Sequence, residues 1–167
     1  AGKEIFMVPD RNLAHYVQKV SGRKLSWWDG YCPTHERLTT VEVAKEREAH
    51  PEAVLIVHPE CRPEVVEMAD AVLSTSGMLA FCRRSAAQEF IVGTESGILY
   101  RMRKENPGKR FHVPTRAMIC LNMKIITLKD IRDSLVSMSP SVSVPEGVRL
   151  KAKAALDAML AVPRDAA

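Results

Sequence analysis

Residues 53–79, AVLIVHPECRPEVVEMADAVLSTSGML, decide the fold. Ala53–Val57 is apolar at every position, so it suits a strand covered on both faces, as in the middle of a parallel sheet. A polar, Pro-containing segment, His58-Pro59-Glu60-Cys61, follows it. A helix is expected over Pro63–Ala69, with Pro early, where its missing N–H costs nothing. A short strand, Ala71–Leu73, comes next, then hydroxyl residues Ser74-Thr75-Ser76 and a helix over Gly77–Ala87. Strand, helix, strand, helix within so few residues is a βα repeat and implies parallel pairing.

The same alternation extends in both directions. Ile5–Val8 and Leu25–Trp28 read as strands around a helix at Asn12–Val20 that Ser21-Gly22 stops. Thr39 or Thr40 suits the N-cap of a helix to about Ala49, with Glu42 in its first turn, where acids suit the dipole. Downstream, Glu89–Val92 and Arg110–Val113 read as strands and Ser96–Glu105 as a helix. Leu128–Met138 and Val148–Leu160 are the last two helices. The fold class is α/β, a three-layer α/β/α arrangement with a parallel sheet.

Composition is consistent with this. The chain has 167 residues, 46% hydrophobic and 26% charged, which excludes a disordered or fibrous chain and allows a substantial core. No apolar run reaches the roughly 18 residues of a membrane span, and no membrane partner is expected. A formal charge of +4 is too mild to indicate nucleic acid. The opening Ala1-Gly2-Lys3-Glu4 has no signal-peptide pattern, and a cytoplasmic setting is expected. It also lacks an initiating Met and runs directly into Ile5-Phe6-Met7-Val8, so the chain reads as processed or truncated.

Polar clusters follow four of the expected strands: Asp29–His35, His58–Cys61, Ser74–Gly77 and Thr94–Gly97. The carboxyl ends of parallel strands form one rim where ligands bind, so a pocket is expected there. His58 and Glu60 flank Pro59 and suit an acid–base pair facing one cavity. They equally suit a histidine bonded to a backbone carbonyl beside a surface glutamate. Ser74-Thr75-Ser76-Gly77 opens a helix, which fits an anion site or a plain N-cap. In Thr94-Glu95-Ser96-Gly97 the acid is expected to serve the helix dipole.

The four cysteines, Cys32, Cys61, Cys82 and Cys120, lie far apart without a CxxC pair, so reduced thiols are expected. Cys32 and His35 form a CxxH loop that, with Cys120, suits an iron–sulfur cluster or zinc; buried free thiols are the alternative. Cys82 is expected in the core, and Trp27 and Trp28 against the sheet. Arg101, Arg103, Lys104, Lys109, Arg110 and Arg116 suit a solvated face, with steering of an anionic substrate or RNA contact as sharper alternatives.

Taken together, WWDGYCPTHE (27–36), VHPEC (57–61), ADAVLSTSGML (69–79), EFIVGTESGILYRMRKENPGK (89–109) and CLNMKIITL (120–128) resemble quinolinate synthases, in family order. The resemblance implies three small α/β domains around a pseudo-threefold axis, with a 4Fe–4S cluster and the active site at their junction. It implies condensation of iminoaspartate with dihydroxyacetone phosphate to quinolinate in NAD biosynthesis, downstream of an aspartate oxidase or dehydrogenase. Cys32 and Cys120 match two of the family's three cluster cysteines. His58 and Glu60 match acid–base residues that contact substrate, with Pro59 between them. Thr75 matches a residue that binds a substrate carboxylate, with Ser74 and Ser76 nearby and His35 near the cluster.

Only the C-terminal half of the family is matched, and the first domain with its cluster cysteine has no counterpart. By this resemblance residues 1–34 finish the middle domain, 35–126 form the third, and 127–167 are helices that pack on the absent first domain. Surface left uncovered is expected to be apolar, and the chain alone is expected to be inactive. A catalytically inactive binding module that keeps the fold is the alternative function.

Overall fold

In the computed structural model, residues 4–162 are described, so the reading of Ala1–Lys3 and the last five residues of the expected tail lie outside it. The chain divides into two compact units at Asn122–Met123. The first opens with β1 (Phe6–Met7), α1 (Arg11–Ser21), β2 (Ser26–Trp27), α2 (Pro33–Glu36) and α3 (Thr40–Ala49). It continues with β3 (Val54–Val57), α4 (Pro63–Met68), β4 (Ala71–Val72), α5 (Thr75–Arg84), β5 (Glu89–Gly93), α6 (Ile98–Glu105) and β6 (Arg110–His112). The second unit holds α7 (Leu128–Ser137) and α8 (Glu146–Leu160).

The central sheet runs in the order β4-β3-β5-β6, all parallel, with Ile56 opposite Ala71 on one side and Val92 on the other. Side chains alternate between its faces. Leu55, Val57 and Ile91 pack with Leu38, Val43, Val65 and Val66 on the α3–α4 side. Ile56, Phe90, Val92 and Phe111 pack with Met78, Leu79, Cys82, Leu99 and Met102 on the α5–α6 side. Helices therefore cover both faces, and the three-layer α/β expectation holds. Leu55, Ile56, Val57, Phe90, Ile91 and Val92 are fully buried. Removing each such side chain from water contributes about 1.5–3 kcal/mol before the cost of ordering the chain.

Local sequence fixes the ends of the helices. Thr39 Oγ1 accepts from Glu42 N while a Glu42 carboxylate oxygen accepts from Thr39 N, a complete capping box for α3. Ser74 Oγ accepts from Gly77 N, so α5 starts at Thr75, two residues before the expected Gly77, and ends at Arg84. Asp10 caps α1 by accepting from Leu13 N at 2.8 Å.

One expectation is overturned. β2 pairs only with β1, in a separate two-stranded parallel sheet. The cluster Asp29–His35 therefore does not follow a strand of the central sheet, and three polar clusters share its rim rather than four. After β2 the chain turns into α2 rather than continuing along the central sheet. Trp28 is 63% exposed, contrary to the expected packing, while Trp27 lies against His15 with ring centroids 4.6 Å apart.

The basic run is held by local partners. Arg101 pairs with Glu105 and Arg110 with Glu89, while Lys109 Nζ donates to the Cys82 and Ser85 carbonyls. In the second unit, α7 and α8 bury no residue, and Leu128, Leu135, Val136, Leu156 and Leu160 are exposed. Among the described residues no helix is long and apolar enough to cross a membrane.

Candidate active site

The chain leaves β3 toward β4 on one side and leaves β5 toward β6 on the other, so a crevice opens between the carboxyl ends of β3 and β5. His58 begins the segment after β3, its N–H donating to Gly93 O at 3.0 Å. Thr94 and Glu95 follow β5 and are buried. Into this crevice the short helix α2 inserts His35, 7% exposed.

His35 bridges the two strand ends. Its Nε2 lies 2.9 Å from Thr94 Oγ1, and its Nδ1 lies 3.0 Å from Glu60 Oε2. The second distance suits a hydrogen bond but the geometry does not, so the two groups are in contact without a hydrogen bond. The rings of His35 and His58 stack with centroids 4.6 Å apart and planes 14° from parallel. His58 Nδ1 sits 3.7 Å from Glu60 Oε2 and accepts from Glu60 N at 3.3 Å, so Pro59 does hold His58 and Glu60 toward one space.

The electrostatics follow from this packing. Contact with His35 holds the Glu60 carboxyl below the usual carboxylate range, against burial, with help from His58 and from a hydrogen bond to Cys32. Burial, with His35 next in effect, pushes the His58 imidazole below its ordinary value, although Glu60 opposes this. A neutral imidazole beside an ionised carboxylate, both partly open, offers two proton acceptors side by side.

Cys32 belongs to this constellation. Its Sγ, a ring nitrogen of His35 and a Glu60 oxygen all lie within 4.8 Å of one another. Its backbone N–H donates to Asp10 Oδ2 at 2.8 Å, so the residue that caps α1 also fixes the cysteine. Asn12 Nδ2 donates to the Glu60 carbonyl at 3.1 Å and to Glu36 Oε2 at 2.8 Å, which anchors the segment after β3 to α1 and α2.

Cys120 arrives from the end of the unit. It lines a recess of about 190 Å³ together with Cys32, Pro33, Arg37, Ile119 and Asn122. Glu95 positions it: one carboxylate oxygen accepts from Gly97 N at 2.7 Å at the start of α6, the other from Cys120 N at 3.5 Å. The expectation that Glu95 serves the start of a helix therefore holds, and the same carboxylate also reaches Cys120.

The other two cysteines are core residues. Cys61 Sγ donates to Gly93 O, and burial raises its pKa to about 12; burial raises that of Cys82 to about 11. All four thiols are free. Ser74, Thr75 and Ser76 are exposed at the start of α5, on the rim beyond β4, with Ser74 Oγ 3.5 Å from Ser76 Oγ. No hydrogen bond joins Thr75 to His58 or Glu60 among the described residues.

Sequence reading missed Thr94, Asp10 and Asn12. Asp10 stands before a helical stretch, a legible N-cap signal, but its second oxygen reaches Cys32 only in the folded chain. Thr94 stood in a polar cluster expected on the rim, but its pairing with His35 was not legible because its partner lies 59 positions away.

Comparison with known proteins gives the family. The family described as Quinolinate synthetase A protein matches residues 1–161. A quinolinate synthase of Geobacter metallireducens is 53% identical over 163 residues, 98% of this chain and 54% of that protein. One from Geotalea uraniireducens is also 53% identical, over 162 residues, and one from Methanosarcina barkeri is 44% identical over 160. These alignments cover 97% and 96% of this chain, and 53% of each relative. The chain spans about half the length of the curated relatives it matches. With motifs and matches running from one end to the other, this chain belongs to the quinolinate synthetase A family.

Proposed function

We propose that this chain is the C-terminal part of a quinolinate synthase and supplies one wall of its active site. There iminoaspartate, made by an aspartate oxidase or dehydrogenase, condenses with dihydroxyacetone phosphate to give quinolinate for NAD biosynthesis, in the cytoplasm. Loss of water and phosphate accompanies the ring closure. The observation that carries this reading is the meeting of Cys32 and Cys120 on one recess, with Cys32 Sγ also within 4.8 Å of the Glu60 carboxylate of the histidine-lined crevice.

The donor set fits a 4Fe–4S cluster in part. Cys32 and Cys120 are partly exposed soft ligands on one cavity, whereas Cys61 and Cys82 are buried and resist ionisation. A third thiolate would come from outside this chain, consistent with relatives about twice its length. When bound, the cluster would supply an open iron as Lewis acid toward substrate.

The chain's own residues do the rest. His58 and Glu60 exchange protons with the condensing substrates, and Pro59 holds them in register. His35, fixed by Thr94, orients the Glu60 carboxylate and shields it from water. Thr75, at the first turn of α5, offers a hydroxyl and the helix N–H groups to a substrate carboxylate.

Anaerobic reconstitution with iron and sulfide tests the cluster. Iron and sulfide retained with a broad visible absorption, and lost in Cys32→Ala and Cys120→Ala, is expected when the chain is joined to the first half of a relative. The same joined protein is expected to complement a quinolinate-requiring strain. Complementation that survives both cysteine substitutions would overturn the reading.

A further inference from the structure

A second constellation of ligating side chains lies far from the crevice, around the first residue of β5. Glu89 starts that strand and Thr94 follows its end, which separates the two places by about 16 Å of extended chain. Glu89, Arg110 and His112 share the sheet face that α3 covers, and His50 is the C-cap of α3. The His50 and His112 rings stack with centroids 3.6 Å apart.

One carboxylate orients both rings. Glu89 Oε1 lies 3.1 Å from His50 Nδ1 and 2.8 Å from His112 Nε2. The other nitrogen of each ring is left for a further partner, and Glu46 Oε1 stands 3.8 Å from His50 Nε2. One atom from each of Glu46, His50 and His112 falls within 4.8 Å of the other two. All three residues are only partly buried, so an ion can enter from solvent.

This is the arrangement of a protein metal site whose imidazoles are fixed by a carboxylate behind them. Two histidines and a glutamate are borderline donors that favour zinc-like dications over calcium or magnesium. Ligands about 2.0–2.1 Å from a tetrahedral zinc stand about 3.3 Å apart, so modest rotation of three surface side chains closes the site. Arg110, bidentate on Glu89, offsets the second negative charge, so the cluster carries one carboxylate free to neutralise the ion.

We propose that Glu46, His50 and His112, oriented by Glu89, form a binding site for a zinc-class divalent cation that ties the end of α3 to the end of β6. The site is separate from the thiol recess and does not depend on the proposed reaction.

Cobalt(II) titration of the tag-free 167-residue chain, with Cys32→Ser and Cys120→Ser removing the thiol recess, tests this. One equivalent should bind, giving visible d–d absorption without thiolate-to-cobalt charge transfer. Zinc should displace the cobalt and raise the midpoint of thermal unfolding. Glu89→Gln should weaken binding about 10- to 100-fold. His112→Gln should abolish it, and Glu46→Gln, which keeps the size of the side chain, should weaken it at least as much as Glu89→Gln. Absence of the cobalt spectrum, or binding unchanged by both His112→Gln and Glu46→Gln, would overturn the proposal.

Discussion

His35 Nε2 and Thr94 Oγ1 meet at 2.9 Å in a buried contact that joins the α2 loop to the carboxyl end of β5. Because His35 also reaches Glu60, this contact links Thr94 to the carboxylate that lies within 4.8 Å of Cys32 Sγ. The candidate site is thus assembled by one imidazole whose two nitrogens face two different strand ends.

Thr94→Val keeps the shape of the side chain and removes the oxygen. A buried ring nitrogen left without its partner costs about 1–3 kcal/mol. Urea unfolding should show that loss, and Thr94→Ser should recover most of it. Equal stability of the Val variant and the parent chain would mean that His35 is held by packing alone.

Asp10 performs two tasks with two oxygens, at Leu13 N and Cys32 N. Loss of an N-cap costs about 0.5–2 kcal/mol, and Asp10→Ala should fall in that range by chemical denaturation. The Cys32 backbone is freed at the same time. Alkylation of Cys32 should accelerate in the variant while that of Cys120 is unchanged.

Thiol reactivity should divide the cysteines into two pairs. Cys32 and Cys120 are partly exposed, whereas burial raises Cys61 to about 12 and Cys82 to about 11. Thiolate is the reacting species, so maleimide labelling of the native chain followed by mass spectrometry should modify Cys32 and Cys120 first. Cys61 and Cys82 should react only on unfolding. Rapid labelling of Cys61 would contradict its place against Gly93.

The His58 imidazole titrates below its ordinary value in the folded chain, chiefly through burial. Between that depressed value and the usual 6.5 or so, the unfolded chain binds more protons than the folded one. Stability therefore rises with pH across this window and falls as pH drops below about 6.5. Comparing urea midpoints from pH 7.5 down to 5.5 should show the fall, and His58→Gln should flatten it. A His58→Gln variant that loses as much stability over this range as its parent would assign the effect to other groups.

The buried strands were legible because their information is local. Ala53–Val57 is apolar throughout, and the structure places β3 in the centre of the sheet with both faces covered. Thr39 and Glu42 form their capping box within a single turn, so its residues stand three apart in the sequence. Pro59 holds His58 and Glu60 on one space for the same short-range reason. The family itself was legible in motifs spread along the chain, and matched relatives agree with it.

What the folded chain alone decided rests on contacts between distant positions. The apolar pattern of Leu25–Trp28 does not by itself specify that β2 pairs with β1 in a sheet of its own, because that pairing joins positions on either side of α1. Thr94 looked like part of an ordinary helix start, and only its contact with His35 gives it a role. The stacked His50 and His112 meet through the register of β5 with β6 and the length of α3. Hydrophobic periodicity and capping act over a few residues and can be read in order. Which polar side chains share a crevice depends on how whole layers pack, and that is settled only when the core closes.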